Sequence, residues 1–486
     1  MANSYLSKDF TSSPTNAKKF TISVWFKVEV LAANKVILCN TNTGGNQFSI
    51  DYRSDNKIGV IGYISNAVTS NHETTRLFLD PTSWYHLVVA GDSTLSTSTD
   101  RLKIYINGVR ETSFSSATAI TQNNDYEMNK EMSGTSNGWR IGANATASAN
   151  NFFRGNMAHF HSVDGTVYEP TKFGQVDSTT GGWKPILSPA SVAYGNNGWF
   201  LKFENAGALG TDSSGNGTTF TVNGNLKQSV STPSNTFNTL NQNESYQTEV
   251  KNAIKYAGTG WEDANTGADG PKGSVGILAM TKGKWYYEMK YLGSSMYSHF
   301  GISKAGSKAS GQMINTHYKD PFYGGNNGDG FGFQVGNTAT LISRGDATQK
   351  QWLTNPSDSN SNITYATNGQ ICMCAFDLDA GKIWWGINGT WNTVPDSTTT
   401  VSSSQIASGT YPHFTWTPDG EFYRSGHSEY NRFGNAAAQK LNFGEGRFGT
   451  DAVASGNADS AGEGVFEFAP PSGFLAICTK NIKNTG

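Results

Sequence analysis

Hydrophobic and polar positions alternate along most of this chain with the two-residue period of strands that bury one face. In Phe20–Val28 (FTISVWFKV), Phe20, Ile22, Val24 and Phe26 alternate with Thr21, Ser23, Trp25 and Lys27. In Arg101–Glu111 (RLKIYINGVRE), Leu102, Ile104 and Ile106 alternate with Lys103, Tyr105 and Asn107. Asn107-Gly108 then supplies the two positive-φ residues that a type I′ hairpin turn requires. The device recurs at Gly381–Asn392 (GKIWWGINGTWN), where Ile383, Trp385 and Ile387 share a face and Asn388-Gly389 makes the turn. Each hairpin follows an apolar strand, Trp84–Gly91 and Ile371–Leu378. The pattern predicts an all-β chain of two tandem β-sandwiches, each built around one such hairpin.

Further strands are expected at Lys35–Cys39, Gln47–Tyr52, Lys57–Ile64, Gly138–Asn144 and Phe152–Gly165, and in the second half from Gly283–Leu292 onward. Residues 1–19 are polar and read either as an ordered first strand or as an attachment arm. The first sandwich is assigned to 1–204, a Gly/Ser/Asn-rich junction to 205–249 and the second sandwich to 250–486. Within the junction DSSGNG reads as turns, Thr232-Pro233 as a break, and Phe220–Val222 as a stretch that can still pair with a sheet. One short helix is expected, around Gln247–Tyr256. No heptad, collagen-like or solenoid repeat predicts a fibre shaft.

Composition sharpens this picture. Charged residues are 15 % of the 486, aromatic residues 12 %, and glycine numbers 55, which favours strands over helices with salted surfaces. A net charge of −2 without basic or acidic runs argues against nucleic acid as a partner. No stretch approaches transmembrane length and the first residues lack an apolar core of a signal peptide, so no membrane insertion is expected. The cysteines Cys39, Cys372, Cys374 and Cys478 do not form a disulfide pattern and read as buried free thiols.

Candidate chemistry is sparse. Tyr318, Phe322 and Tyr323 lie in the Gly- and Asn-rich stretch 315–330, Trp352 in QKQWLTNPSDSNSN and Trp261 in GTGWEDANTG. Aromatic rings on polar loops suit sugar stacking or protein anchoring, so these five are the candidate ligand-binding residues. Trp25, Trp285, Trp384, Trp385 and Trp391 read as core or sheet-face packing instead. His159 and His161 fall on one strand face and could hold a metal, but no third ligand stands at short spacing. His86, inside an apolar strand, reads as a satisfied core histidine. Asp377 and Asp379 read as turn residues.

The ordered set FTISVWFKV, SWYHLVVAGD, LKIYINGVRE, WRIGA and FRGNMAHFHSVDG resembles a laminin G-like domain of the concanavalin A-type lectin/glucanase class, over roughly the first 170 residues. GKWYYEMKYL, HFGISKAG, GDGFGFQVGN, ICMCAFDLDAGKIWWGINGTW, YPHFTW and KLNFGEGRF together resemble a SPRY domain, over about Gly283–Phe448. The phrases TKFGQVDSTTGGWKP, SVAYGNNGWFLKF, LGTDSSGNGTTFTVNG, TPSNTFNTLN and the closing FEFAPPSGFLAICTKNI resemble structural proteins of marine tailed bacteriophages. The laminin G resemblance implies a calcium option at one rim, with Asp92 and Asp100 as candidates by position; no cofactor is required. The E-x-D-x-x-E arrangement of the related glucanases is absent, and no enzyme activity is expected.

These resemblances imply a non-enzymatic virion appendage, a tail fibre or fibre-like knob that binds a host-surface glycan or protein. The alternatives are a decoration or cementing protein of capsid or tail and, third, a glycan depolymerase. Expected partners are other virion proteins, a host-surface glycan or protein, and further copies of the chain, a trimer being favoured. The expected location is the virion, assembled in the host cytoplasm.

Overall fold

The computed structural model describes residues 3–29, 31–42, 44–131, 138–145, 149–178, 181–245, 254–263, 270–293, 297–305, 330–335, 342–344, 366–393, 400–431 and 437–485. Strands dominate, and the chain divides into two compact units, Met1–Ser229 and Val230–Gly486. Each is a two-sheet β-sandwich.

In the first unit the eight-stranded sheet runs in the order Phe114–Thr118, Ala67–Thr74, Ile58–Ile64, Gln47–Tyr52, Lys35–Thr41, Gly138–Ile141, Tyr5–Lys8, Thr221–Asn223. The six-stranded sheet runs Trp199–Leu201, Gly155–Asp164, Lys19–Val28, Tyr85–Asp92, Leu102–Ile106, Val109–Arg110. Phe20, Ile22, Val24 and Phe26 from one sheet bury against Phe48, Ile50 and Val60 from the other, so the alternation becomes a core. Asn107 and Gly108 have φ of 50° and 83°, as the hairpin turn requires. The strand Ala67–Thr74 was not expected, and its core-side residues are polar: Ser70, His72 and Thr74 are buried.

Tyr5–Lys8 is an ordered strand between Gly138–Ile141 and Thr221–Asn223, which decides between the two readings of the first residues. Asp164, 1 % exposed, secures the same region by accepting the backbone N–H groups of Thr15, Asn16 and Asn197.

In the second unit one sheet runs Leu240–Ser245, Gly270–Met280, Tyr423–Asn431, Tyr297–Lys304, Gly330–Val335, Ile342–Arg344. The other centres on Lys284–Leu292, Ile371–Asp377 and Lys382–Ile387. Trp285, Tyr287, Cys372, Cys374 and Trp385 face the core between the sheets. On the opposite face Tyr286, Met373 and Trp384 pack under Phe466, Phe474 and Ala476 of the closing segment. The buried Glu288 carboxylate joins the two, accepting from the Glu467 and Phe468 backbone, the Tyr286 hydroxyl and the Asn442 amide.

The expected helix at Gln247–Tyr256 is corrected where the chain is described. Ile254–Lys255 is a strand paired with Gly260–Asp263, and Tyr256–Gly258 is a 3-10 turn. The helices lie instead at Ser403–Ala407, opened by a Ser402/Gln405 capping box, and at Thr479–Thr485. No helix among the described residues is long and apolar enough to cross a membrane.

Candidate functional site

The outer face of the eight-stranded sheet is built by the same alternation that builds the core. Along Gln47–Tyr52, Phe48, Ile50 and Tyr52 point inward, so Gln47, Ser49 and Asp51 must point outward. Along the next strand Ile58 and Val60 are core, and Ile61 and Tyr63 line the outer face. Together with Asn34, Lys35, Val36, Cys39, Arg53, Asn144 and Asn151 these side chains enclose a groove of about 270 Å³.

Asp51 is the carboxylate among them. The Ser49 hydroxyl donates to Asp51 Oδ2 at 3.0 Å. Burial pushes the Asp51 carboxyl up to about 6, against the pull of the Ser49 hydrogen bond and the Arg53 charge. Arg53 is itself engaged, Nη1 lying 2.8 Å from Glu73 Oε2. Lys35 is lowered to about 8 by burial and by Arg154, with Glu29 opposing; its ammonium sits 4.7 Å over the Tyr52 ring. The Cys39 thiol is pushed up to about 12 by burial, so it is an inert wall and not a nucleophile. The groove therefore offers a carboxylate, hydroxyl and amide groups, the Arg53 guanidinium and one phenol ring within a small space, the composition of a polar-ligand site, while the Lys35 ammonium is turned to Tyr52 on the inner face.

None of these lining residues was singled out from the sequence as a binding residue; Cys39 was read as a buried thiol. The signal was available, since QFSIDY places Gln47, Ser49 and Asp51 at alternate positions opposite three apolar ones. Outward polar residues on a strand are ordinary, however, and only the neighbouring strands make a groove of them.

Of the expected ligand-binding residues, Tyr318, Phe322, Tyr323 and Trp352 lie outside the described residues. Trp261 is corrected: it is 0 % exposed, sits on the strand Gly260–Asp263 and belongs to the core of the second unit. Its polar neighbours made a core plug resemble a loop anchor. Trp25, Trp285, Trp384, Trp385 and Trp391 are buried, as packing residues should be.

The candidate calcium residues are each engaged separately. Asp92 accepts from the Thr94 backbone and hydroxyl and pairs with Lys19 at 3.1 Å. Asp100 pairs with Arg110 at 2.7 Å. Among the described residues no group of three or more His, Cys, Asp or Glu side chains is placed to hold a metal ion. Asp377 and Asp379 hold turns, accepting from the Ala380 and Gly283 backbone respectively.

His86 lies on the outer face of the six-stranded sheet, not between the sheets. It stacks on Trp25 at 4.6 Å with both nitrogens partnered, Nε2 with the Ser23 hydroxyl and Nδ1 with the Trp183 indole. His161 stacks on Phe200 at 3.8 Å and bonds the Tyr194 hydroxyl through Nδ1. His159, at the bulge of its strand with φ of 45°, stacks near the same ring at 6.1 Å between centroids. All four cysteines are buried and free.

Residues 2–167 match the family model described as the concanavalin A-like lectin/glucanases superfamily. No curated protein matches the chain. Among solved structures, a putative carbohydrate binding protein from Bacteroides ovatus is similar at 18 % identity and a TM-score of 0.34, over 48 % of this chain and 59 % of that one. The SPRY domain of human HERC1 is similar at 13 % identity and a TM-score of 0.26, over 42 % of this chain and 96 % of that one. A heptameric SAP-like pentraxin from Limulus polyphemus is similar at 13 % identity and a TM-score of 0.27, over 42 % and 86 %. At such identities and scores these likenesses carry no argument about function.

Proposed function

We propose that the first unit binds a glycan, without cleaving it, in the groove lined by Asp51. The observation that carries this is the groove itself: one carboxylate with its Ser49 hydroxyl, the amides of Gln47, Asn144 and Asn151, and the Tyr63 ring. Sugars present vicinal hydroxyls and apolar ring faces, and such a set can meet both. The match of residues 2–167 to a lectin/glucanase superfamily is in keeping with it. Among the described lining residues Asp51 is the sole carboxylate, whereas retaining hydrolysis uses two about 5 Å apart.

On this reading the chain serves in a tailed-phage virion as a tail fibre or fibre-like knob, meeting a host-surface glycan through many copies, a trimer being favoured. The virion assignment rests on the phage-like phrases around 171–240 and at the closing segment. Weak single-site binding would then be strengthened by multivalency. Purified chain should bind host-envelope polysaccharide saturably and release no reducing ends. Antibody labelling should place it on the tail of intact particles. Sustained release of reducing ends, abolished by a single Asp or Glu substitution, would overturn the non-enzymatic reading.

A further inference from the structure

The hairpin Gly174–Val176/Trp183–Pro185 forms a two-stranded sheet that pairs with neither large sheet of the first unit. Among the described residues its two strands pair with each other, and its salt bridge, Lys184 to Asp177 at 2.7 Å, is internal. Trp183 seats it on the six-stranded sheet, with Phe173 at its base packed on His161 at 4.8 Å between ring centroids. That indole covers Gly108 of the first hairpin turn, where a Cβ would lie 3.0 Å from the ring, and it stacks against His86 with centroids 6.0 Å apart. Its Nε1–H donates to His86 Nδ1 at 2.9 Å.

An indole nitrogen can only donate, so His86 Nδ1 must be the acceptor and Nε2 must carry the proton that goes to Ser23. This fixes the neutral tautomer. A proton on Nδ1 would set two donors against each other and place a cation between Trp25 and Trp183 in a site with 0 % exposure. We propose that the Trp183–His86 contact is an acid-released latch: protonation of His86 lifts the hairpin and bares the aromatic and imidazole face beneath it, while the sandwich stays folded.

The charged and titratable surroundings oppose protonation in the closed state. His159 and His161 lie on the strand beyond Ser23, His159 having Lys202 and Glu204 beside it and His161 having Tyr194. Burial, then His159, lowers His86 to about 3. Once lifted, His86 returns to its ordinary value near 6.5, so opening takes up a proton throughout the window between the two. The open-to-closed ratio should therefore rise about tenfold for each pH unit below 6.5 if His86 alone is released, and about a hundredfold if His161 is freed with it.

Exchange of the Trp183 indole proton in the full chain tests this. Nitrogen-labelled tryptophan gives 12 indole signals, and Trp183→Phe identifies the relevant one. Corrected for the intrinsic rate of free tryptophan, its protection should fall about tenfold per pH unit between pH 6 and 4, while backbone amides of Lys19–Val28 keep theirs. His86→Gln, whose side-chain oxygen can still accept from the indole but does not titrate, should flatten that slope. Protection independent of pH, a loss shared equally by the core amides, or an unchanged slope in His86→Gln overturns the proposal. Should the variant fail to fold, the wild-type slope decides alone.

Discussion

The Arg53 side chain lies over Gly59, the strand partner of Asp51, so close that a Cβ on the glycine would stand 2.1 Å from the guanidinium Nε. The missing side chain on one strand is what lets Arg53 reach Glu73 at 2.8 Å and form a wall of the groove. Gly59→Ala should push the guanidinium aside, weakening glycan binding severalfold at a stability cost of about 1 kcal/mol. Binding isotherms and thermal midpoints of the two proteins check it. Unchanged binding would remove Arg53 from the site.

Asp51 makes a prediction with a definite sign. Its carboxyl is raised from 3.8 in the unfolded chain to about 6 in the groove, so the stability associated with it is full below 3.8 and lost as pH rises through 6. Asp51→Asn should therefore stabilise the first unit at pH 7.5, by about 1 kcal/mol once solvent screening is allowed for, and make no difference near pH 4. Calorimetry at the two pH values checks this. The native residue would then be kept at a cost in stability, as functional groups often are.

The histidines give the opposite sign. His72 and His159 are lowered to about 4 and His86 to about 3 by burial, so the stability they carry is present above 6.5 and lost as pH falls toward those values. Among the described residues with a resolved shift, the second unit has His413, lowered to about 4. Among the described residues, then, acid should act first on the first unit, and its unfolding endotherm should move down more between pH 7.5 and 4.5. Equal movement of both endotherms would contradict this.

Much of the fold was legible in the sequence because its core strands alternate cleanly and its two Asn-Gly turns permit one geometry; Asn388 and Gly389 have φ of 47° and 82°, as at the first hairpin. The strand Ala67–Thr74 was not legible, since Ser70, His72 and Thr74 put polar side chains where the pattern requires apolar ones. Trp261 misled for the converse reason, a core ring on a short strand with polar neighbours. The groove was invisible because it is a property of several strands: Asn34, Asp51, Tyr63 and Asn144 come together only once the sheet order is known.

In the second unit Glu288 supports the closing segment. Glu288→Ala would leave two backbone N–H groups, a hydroxyl and an amide without their acceptor in a fully buried site, at a cost of about 3–5 kcal/mol. Its endotherm should drop by many degrees while glycan binding by the first unit persists at temperatures where both remain folded. Loss of binding with the fold intact would transfer the site to the second unit.

The junction offers a test of the two-unit division. Thr221–Asn223 is held in the first unit's sheet and Phe237 and Leu240 are buried in the second, leaving the exposed Lys227 near the boundary at 229/230. Brief trypsin treatment should cut after Lys227 and yield two fragments that each keep a cooperative transition. Fragments that unfold on separation would contradict the division.

The central claim is that the Asp51 groove binds a glycan, and direct titration tests it best. Full-length chain, Asp51→Asn and Tyr63→Ala should be screened against one panel of host-envelope polysaccharides, with thermal midpoints measured alongside. The account predicts saturable binding by the native chain, weakened at least tenfold in both variants, whose midpoints stay within a few degrees or, for Asp51→Asn, rise. Native-strength binding by both variants would place recognition elsewhere on the chain, and no binding by the native chain to any host glycan would contradict the claim outright.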